Sequence, residues 1–296
     1  MKIYHVDAFT AHVFGGNPAA VVPVERWPSV AVMQQVAAEQ NLSETVFVGP
    51  PSDENGGDAD RRLRWFTPTV EVPLCGHATL AAAHVLWNHL DEVVERLTFE
   101  SHSGPLTVWH EKQRDDDLIV MDFPARTTEP CEIAPAIVEA LGPSPSEMLR
   151  TTRNIGVGEE AHPAYIAVYD SKRDVHELKP DMKKLAAISA HGVIATAPGA
   201  SHDFVSRFFA PRAGVDEDPV TGSAHCALAP FWARRLGKSR LAARQVSRRG
   251  GELRCDVVES ASGDRVLLAG KAVTYSVGEI VARLAQTEPR AAEPSA

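Results

Sequence analysis

One carboxylate at the edge of an apolar segment is the sharpest candidate for chemistry in this sequence. Glu44 follows a short polar connection and precedes the apolar run from Val46 to Val48. Burial against such a run raises the pKa of a carboxylic acid toward the range in which it works as a general base. An ordinary glutamate in a surface loop is an equally good interpretation.

Two glycines open alanine-rich segments that are predicted to be helical. They are Gly76 and Gly222, and the second lies between Thr221 and Ser223. Free backbone N–H groups and the positive end of the helix dipole at such a start favour a bound carboxylate or enolate oxygen. Close packing that requires glycine is the alternative. Because polar residues adjoin both glycines, ligand contact is favoured.

The residues beside Gly76 carry a thiol and an imidazole. His77 falls in the first helical turn, where the positive helix end disfavours a cation, so we expect a neutral imidazole. A lone histidine is also often structural. The helix start could acidify Cys75 into a nucleophile or base. The matching residue in the second half of the chain is Thr221, so a two-thiol mechanism is not expected.

A cluster of acids, Asp216-Glu217-Asp218, precedes the second glycine. Acids near a helix start can simply complement the dipole. Asp218 is the closest to the helix and is therefore the best placed to face a site. No second acidic or histidine cluster has ligand spacing, so the sequence predicts no metal site.

The segments that position these residues occur twice along the chain, in the same order and at offsets of 143 to 149 residues. This predicts a duplicated α+β fold with a pseudo-two-fold axis. In the alignment, Val193 is the counterpart of Glu44. The matching segments are Arg64 to Pro68 with Arg207 to Pro211, Gly76 to Ala78 with Gly222 to Ala224, Asn17 to Val22 with His162 to Ala167, and Val36 to Val48 with Leu185 to Ala195.

Each half is predicted to form one domain, over residues 1–126 and 127–286, because Pro, Thr and Glu cluster between them. The segment from Ala78 to Leu86 is apolar all round, which predicts a buried helix with a sheet curled around it. Pro230 lies inside the second helix and predicts a kink or a shorter helix. Residues 287–296, rich in Ala, Glu and Pro, are predicted to be disordered.

Local patterns predict the remaining elements. Ser29 is a plausible N-cap for a helix that ends near Gln40, and Pro50 to Asp60 is predicted to be an exposed loop. The predicted strands are Ile3 to Phe9, Ala19 to Val24, Thr45 to Val48, Arg62 to Thr67, Leu97 to Glu100, Leu106 to Trp109, Leu118 to Asp122, Glu252 to Glu259 and, after a turn at Ser262-Gly263, Asp264 to Tyr275.

The composition is that of a soluble globular protein: 296 residues, 44% hydrophobic and 23% charged. No apolar run reaches the ~18 residues that span a bilayer, and the N-terminus lacks a signal-peptide core. The four cysteines have no CxxC spacing and are expected to be free thiols. We therefore expect a cytoplasmic protein without a membrane partner.

The net charge of −9 argues against a nucleic-acid partner. The basic stretch from Arg234 to Arg249 contains no interleaved aromatic residues, so a solvated helix end and loop is the favoured interpretation.

These motifs together resemble the phenazine-biosynthesis PhzF-like isomerase family, in the branch found outside phenazine pathways. The likeness covers nearly the whole chain, and the block from Glu217 to Ala224 is specific. The segments that carry it are Asp7 to Phe9, Gly16 to Pro18, Asn41 to Thr45, Phe66 to Pro68, Cys75 to Thr79, Glu217 to Ala224 and Arg249 to Leu253.

The resemblance implies a diaminopimelate-epimerase-like fold, in which two pseudo-symmetric domains each wrap a barrel-like sheet around a central helix. It also implies a homodimeric, cofactor-independent isomerase that acts on a small carboxylate-bearing substrate in the cleft between the domains. A proton would be moved by Glu44, assisted by His77 and Asp218. The positions implied to anchor the substrate are Gly76, Thr221, Gly222 and Ser223.

The chain departs from the phenazine enzyme at Cys75 and Pro219, where that enzyme has alanines. The catalytic trio is intact, so the departure concerns the substrate. Two alternatives remain open: an amino-acid epimerase or racemase of the same fold, and a non-catalytic carboxylate-binding or scaffold protein.

Overall fold

The structure is a computed structural model, and it describes residues 1–52, 57–113, 116–155, 161–261 and 263–281. The predicted disordered tail at residues 287–296 lies outside the described residues. So do residues 53–56 of the predicted loop from Pro50 to Asp60 and Ser262 of the predicted turn.

Helices form a minor part of the fold. They are α1 (Val30–Gln40), α2 (Gly76–His89), α3 (Pro135–Leu141), α4 (Lys172–Glu177), α5 (Met182–Ala186) and α6 (Gly222–Leu236), with a 3-10 turn at Pro211–Ala213. The predicted N-cap of α1 is confirmed, because Ser29 Oγ accepts the N–H of Val32 at 3.4 Å. Among the described residues, no helix combines the length and the apolar character needed to cross a membrane.

The strands account for most of the regular structure. They are β1 (Lys2–Ala8), β2 (Asn17–Pro23), β3 (Glu44–Gly49), β4 (Arg61–Phe66), β5 (Glu71–Val72), β6 (Arg96–Glu100), β7 (Leu106–Gln113), β8 (Asp116–Pro124), β9 (Thr128–Pro130), β10 (Glu147–Thr151), β11 (Ala164–Val168), β12 (Gly192–Pro198), β13 (Phe204–Ala210), β14 (Val215–Asp218), β15 (Arg240–Gln245), β16 (Gly251–Val258), β17 (Arg265–Gly270) and β18 (Ala272–Glu279).

Pairing joins these strands into one continuous sheet. Its order is β18–β1–β2–β3–β4–β6–β7–β8–β17–β16–β15–β13–β12–β11–β10–β9, with β5 beside β4 and β14 beside β13. Parallel pairs join β2 with β3, β4 with β6, β11 with β12 and β13 with β15, and the other pairs are antiparallel. The protein is therefore a mixed α/β fold with a large sheet and few helices.

The two longest helices are buried inside this sheet. From Ala78 to Leu86, α2 is buried at every residue except His84, which is half-buried, as the all-round apolar pattern predicts. The apolar residues of α2 and α6 belong to the same hydrophobic cluster, together with strands from both halves of the chain. Alanine-rich helices suit this position, because small side chains let the surrounding strands approach closely.

Pro230 does not shorten the second buried helix. α6 runs without interruption from Gly222 to Leu236 and is longer than α2. A proline inside a helix leaves the carbonyl four residues earlier without its usual donor, and here that is the carbonyl of Cys226. The backbone N–H of Arg126 donates to it at 2.9 Å. The segment that connects the two halves therefore supplies the missing hydrogen bond.

The predicted strand from Asp264 to Tyr275 is two strands, β17 and β18. β17 pairs with β8 and β16, whereas β18 pairs with β1. The chain changes neighbours after Gly270, where a β-carbon would lie 2.4 Å from the ring of Phe9. Phe9 itself has a positive φ of 62°, so β1 ends at Ala8, one residue earlier than predicted.

Candidate active site

The N-termini of α2 and α6 meet at one point. A methyl group added to Gly76 would lie 3.6 Å from the Cα of Gly222. The cap residues are Cys75 and Thr221. Ser223 follows in the first turn of α6 and is partly exposed. The positive ends of both helices therefore act on one small volume, which favours an anion.

Glu44 and His77 lie next to this point. Glu44 is the first residue of β3 and pairs with Ala19 of β2, while His77 is in the first turn of α2. Glu44 Oε2 lies 3.3 Å from His77 Nε2. The two atoms are not aligned as a hydrogen bond, and Glu44 Oε2 is buried without a hydrogen-bond partner among the described residues. Such an oxygen is available to accept a hydrogen bond from a ligand.

Asn17, the first residue of β2, lies between the catalytic candidates of the two halves. Its Nδ2 donates to Asp218 Oδ1 at 2.7 Å and to the carbonyl of Val220 at 2.9 Å, which together use the two hydrogens of the amide. The same Nδ2 also contacts His77 Nδ1 at 3.1 Å. One amide therefore connects catalytic candidates from the two halves of the chain.

Asp218, the last residue of β14, is held by hydrogen bonds on several sides. Thr221 Oγ1 donates to Asp218 Oδ2 at 2.5 Å. The buried side chain of Gln245 accepts the backbone N–H of Thr221 at 2.9 Å and donates to the backbone carbonyl of Asp218 at 2.6 Å. The position of this carboxyl group relative to the start of α6 is therefore fixed by the surrounding network.

The other two acids of the cluster do not enter the site. Glu217 accepts two hydrogen bonds from Arg207, at 2.7 and 2.9 Å, and Asp216 is exposed. Of the three acids, Asp218 is the one that contacts Asn17 and Thr221 beside the start of α6.

Burial determines the protonation of the three catalytic candidates. It raises the pKa of Glu44 to about 8, with the negative charge of Asp218 as the second cause. It raises the pKa of Asp218 to about 6, although hydrogen bonds from Thr221 and Asn17 act in the opposite direction. Burial lowers the pKa of His77 to about 3, so this imidazole is neutral, as predicted. Both carboxyl groups therefore titrate in the range that suits acid–base catalysis.

The thiol of Cys75 lies against the same imidazole. Its Sγ is 3.4 Å from His77 Nδ1 and 4.0 Å from Nε2. Burial, and then the negative charge of Glu44, raise the pKa of the Cys75 thiol well above its usual value. The hypothesis that the helix start acidifies Cys75 is therefore wrong, because lost hydration and nearby carboxylates outweigh the dipole.

The fold also assembles a group of possible metal ligands that chain spacing does not reveal. Glu44, Cys75 and His77 each offer one ligand atom, and these atoms lie within 4.8 Å of one another. A carboxylate, a thiolate and an imidazole are all ligands for Zn²⁺. The sequence predicts no metal site because one of the three comes from β3 and two come from the start of α2.

Three supporting residues received no role from the sequence. Asn17 lies in a motif segment, but its contacts with residues far along the chain carry no local signal. Gln245 is a single glutamine within the basic stretch, and nothing in the sequence distinguishes it. Arg249 belongs to the same stretch and is partly buried: its Nη2 donates to Asp7 Oδ1 at 2.6 Å and to the carbonyl of Gly15 at 2.8 Å. This ion pair fixes the loop that precedes Asn17.

Comparison with known proteins places the chain among enzymes of one family. The sequence profile of the phenazine biosynthesis-like protein family, PhzC-PhzF, matches residues 6–278. An uncharacterized isomerase of Pseudomonas aeruginosa is 46% identical over 280 residues, which cover 95% of this chain and 98% of that relative.

Solved structures agree with this result. A phenazine biosynthesis protein of the PhzF family from Enterococcus faecalis has 42% sequence identity and a TM-score of 0.82, over 95% of this chain and 99% of its own. A probable proline racemase from Agrobacterium radiobacter, with 10% identity and a TM-score of 0.60, shares the fold alone. These matches span nearly all of both chains. This protein is therefore an isomerase, and it belongs to the PhzC-PhzF family of phenazine biosynthesis-like proteins.

Proposed function

We propose that this isomerase moves a proton within a small carboxylate-bearing substrate, without a cofactor, and that Glu44 is both general base and general acid. The observation that carries the proposal is the convergence of Glu44, His77 and Asp218 on the point where the helix starts at Gly76 and Gly222 meet. A carbon acid bound there would have a base beside it and positive helix ends beneath its carboxylate.

The proposed cycle uses Glu44 twice. Its carboxylate removes a proton from a carbon of the substrate, and the electron pair of that C–H bond enters the adjoining conjugated system. Glu44 then returns the proton to a second carbon on the same face, so substrate and product have the same atoms. A pKa of about 8 supports this role, because both forms of the carboxyl group are then populated near neutral pH.

The neighbouring groups have supporting roles in the cycle. The neutral His77 would direct its Nε2–H toward the developing negative charge, while Asp218 orients the substrate. The starts of both helices, with Thr221 and Ser223 at the second, would hold the substrate carboxylate. Cys75 receives no catalytic role, because its thiol is held in the protonated form.

The experiment that tests the proposal is proton exchange in deuterium oxide, followed by NMR. Dihydro-hydroxyanthranilate and a panel of small amino and hydroxy acids are offered to the wild type, to Glu44→Gln and to Glu39→Gln. Glu39 is an exposed glutamate in α1 and serves as the matched control. We expect deuterium to enter a substrate with the wild type and with Glu39→Gln, and not with Glu44→Gln.

Other results would change the assignment. Undiminished exchange with Glu44→Gln would contradict the proposed base. Binding of carboxylates without exchange of any compound would favour the alternative of a carboxylate-binding protein.

An amino-acid epimerase or racemase is the second candidate, and the arrangement at the second helix start weighs against it. A two-base mechanism needs a proton-transferring group across the substrate from the first base. Thr221 stands at the position that matches Cys75, and its hydroxyl donates to Asp218 at 2.5 Å. Inversion at one stereocentre, with deuterium incorporated at that carbon, would favour the racemase.

We also propose that the fold is a duplicated, diaminopimelate-epimerase-like one, with domains at residues 1–126 and 127–286. Support comes from the strand order, which is the same in both halves. The order in the first half is β1–β2–β3–β4–β6–β7–β8, and the corresponding order in the second half is β10–β11–β12–β13–β15–β16–β17. In the first half Ala19 pairs with Glu44, and at the equivalent position of the second half Ala164 pairs with Gly192. On this proposal the counterpart of Glu44 is Gly192, one residue before the Val193 of the sequence alignment.

A cytoplasmic homodimer completes the proposal. The family resemblance supports the dimer, and the four cysteines, all free, suit a reducing compartment. Light scattering coupled to gel filtration should give twice the mass of the chain, and a monomer would contradict the dimer.

A further inference from the structure

We propose that Glu44, Cys75 and His77 form a binding site for one borderline-soft divalent cation, best matched by Zn²⁺, and that the occupied site is an inhibited state of the enzyme. Binding of the cation is inferred from geometry alone. Inhibition rests on the proposed function, because it requires Glu44 to be the catalytic base.

The separations of the ligand atoms suit a tetrahedral ion. Zn²⁺ binds oxygen and nitrogen at about 2.0–2.1 Å and sulfur at about 2.3 Å, which puts the ligand atoms roughly 3.3–3.7 Å apart. Glu44 Oε2 and His77 Nε2 are 3.3 Å apart, and Cys75 Sγ and His77 Nε2 are 4.0 Å apart. A small movement of the Cys75 side chain closes the remaining gap.

The burial of the cluster also supports cation binding. Glu44 Oε2 is a buried oxygen that has no hydrogen-bond partner among the described residues. Cys75 and His77 are 7% and 4% exposed, so the cluster is enclosed on the protein side. A buried carboxyl oxygen without a partner is destabilising, and coordination of a cation would satisfy it.

The charges around the cluster allow a cation. The positive ends of α2 and α6 oppose it. Once the metal has displaced the protons of Glu44 and Cys75, their negative charges and that of the nearby Asp218 exceed the partial positive charges of the helix ends. The mixture of a carboxylate, a thiolate and an imidazole selects Zn²⁺, Co²⁺ or Cd²⁺ over Mg²⁺ and Ca²⁺, which prefer oxygen ligands alone.

Occupation of the site would block the proton transfer. The metal takes the lone pair of Glu44 Oε2 that would accept the substrate proton. Its bond to His77 Nε2 places the imidazole proton on Nδ1, which lies 3.4 Å from Cys75 Sγ. The metal also displaces the thiol proton of Cys75, together with any proton on Glu44, so binding releases protons to solvent and strengthens as the pH rises. The fourth coordination position is left for water or for the substrate.

Direct metal binding, measured without substrate, is the first arm of the test. Chelator-treated full-length protein is titrated with Zn²⁺ by calorimetry and with Co²⁺ by absorption spectroscopy. The variants are Cys75→Ser and Glu44→Gln, and the control is Cys131→Ser, which removes the half-buried thiol of the chain outside the cluster. Circular dichroism of each variant establishes that it is folded.

The expected result is one Zn²⁺ per chain and a thiolate-to-cobalt charge-transfer band. Cys75→Ser should abolish the band and weaken Zn²⁺ binding by at least about 100-fold, since even residues that only support metal ligands are worth about 10–100-fold. Cys131→Ser should change neither. The proposal is overturned if the wild type binds no stoichiometric Zn²⁺, or if Cys75→Ser binds it as tightly as the wild type.

The second arm measures inhibition. Zn²⁺ at saturating concentration should stop the deuterium exchange of the wild type, and chelator should restore it. Exchange that continues in the zinc-loaded enzyme would overturn the inhibited state while leaving the metal site intact. Because the binding arm uses no substrate, a failure of the isomerase proposal cannot be mistaken for a failure of the metal site.

Discussion

The starts of the two buried helices have the same backbone plan and opposite chemical character. At the first, Glu44 has a buried oxygen without a hydrogen-bond partner in the described structure, and a protonated thiol lies beside a neutral imidazole. At the second, Thr221 and Gln245 form a closed set of hydrogen bonds around Asp218. The first start is therefore poised to react with a ligand, whereas the second is built to hold a fixed position.

This difference separates two functions that active sites often combine in one set of residues. A group that exchanges protons with a substrate needs both of its charge states populated near the working pH. A group that orients a substrate benefits from rigid, satisfied partners. Asn17 joins the two starts, because a single amide contacts both His77 and Asp218.

The largest expected effect is on turnover, compared between one substitution at each helix start. Glu44→Gln should lower kcat by about 10²–10⁴-fold, the usual contribution of a general acid–base group, with little change in substrate binding. Asp218→Asn should act mainly through KM, because the amide keeps the size and part of the hydrogen bonding. Steady-state kinetics on the substrate found by exchange would measure both, and the reverse pattern would contradict the assignment of roles.

The second test concerns stability at the satisfied start. Gln245→Leu removes a fully buried side chain that serves the N–H of Thr221 and the carbonyl of Asp218. Leaving such groups unsatisfied should cost about 2–3 kcal/mol. That cost corresponds to a fall in Tm of roughly 5–10 °C for a chain of this size. An unchanged Tm in differential scanning fluorimetry would show that the network is not a structural support.

The third test concerns stability at the reactive start, where the opposite sign is expected. The pKa of Glu44 is raised to about 8 in the folded protein from 4.5. The folded state therefore binds this proton more tightly than the unfolded state, and the residue destabilises the fold increasingly as the pH rises from 4.5 to 8. Glu44→Gln should raise Tm by roughly 10 °C at pH 8.5 and leave it nearly unchanged at pH 4.5.

A constant difference between variant and wild type across that range would contradict the raised pKa. Glu39→Gln again serves as the control, because its exposed carboxylate should give no difference in Tm at either pH.

The smallest expected effect concerns the property that the two starts share, a positive helix end that opens at a glycine. A methyl group at Gly76 or Gly222 meets only ordinary van der Waals contacts, the nearest at 3.5 Å, so Gly76→Ala and Gly222→Ala should fold normally. Each methyl group enters the volume where the helix ends meet, and we expect kcat/KM to fall about tenfold, or ~1.4 kcal/mol. Unchanged kinetics for both variants would place the substrate elsewhere.

Much of the fold could be predicted from local sequence because its signals are local. The cap at Ser29 and the buried helix after Gly76 follow from residue types within one or two turns. The division of the strand from Asp264 to Tyr275 could not be predicted, since it depends on which distant strand lies beside each part. Nor could the sequence predict that the carbonyl of Cys226, which Pro230 leaves without a helical donor, accepts the backbone N–H of Arg126.

The candidate site could also be predicted only in part. Glu44, His77 and Asp218 were identified from residue types and from the family resemblance, and the fold brings all three together. The link through Asn17 and the support from Gln245 were missed, because both depend on side-chain contacts between distant parts of the chain. The acidity of Cys75 was anticipated with the wrong sign, since the helix dipole can be seen in the sequence but the surrounding burial cannot.

The pairing of β1 with β18 bears on how this chain is made by the ribosome. β1 contains residues 2–8, and its partner ends at Glu279, close to the end of the described chain. Until β18 has emerged, β1 has one edge open, and an open edge of apolar residues is prone to pair with other chains. Nascent chains stalled before residue 272 should therefore be more sensitive to protease and more dependent on chaperones than the released protein, although the first half has all of its other strands.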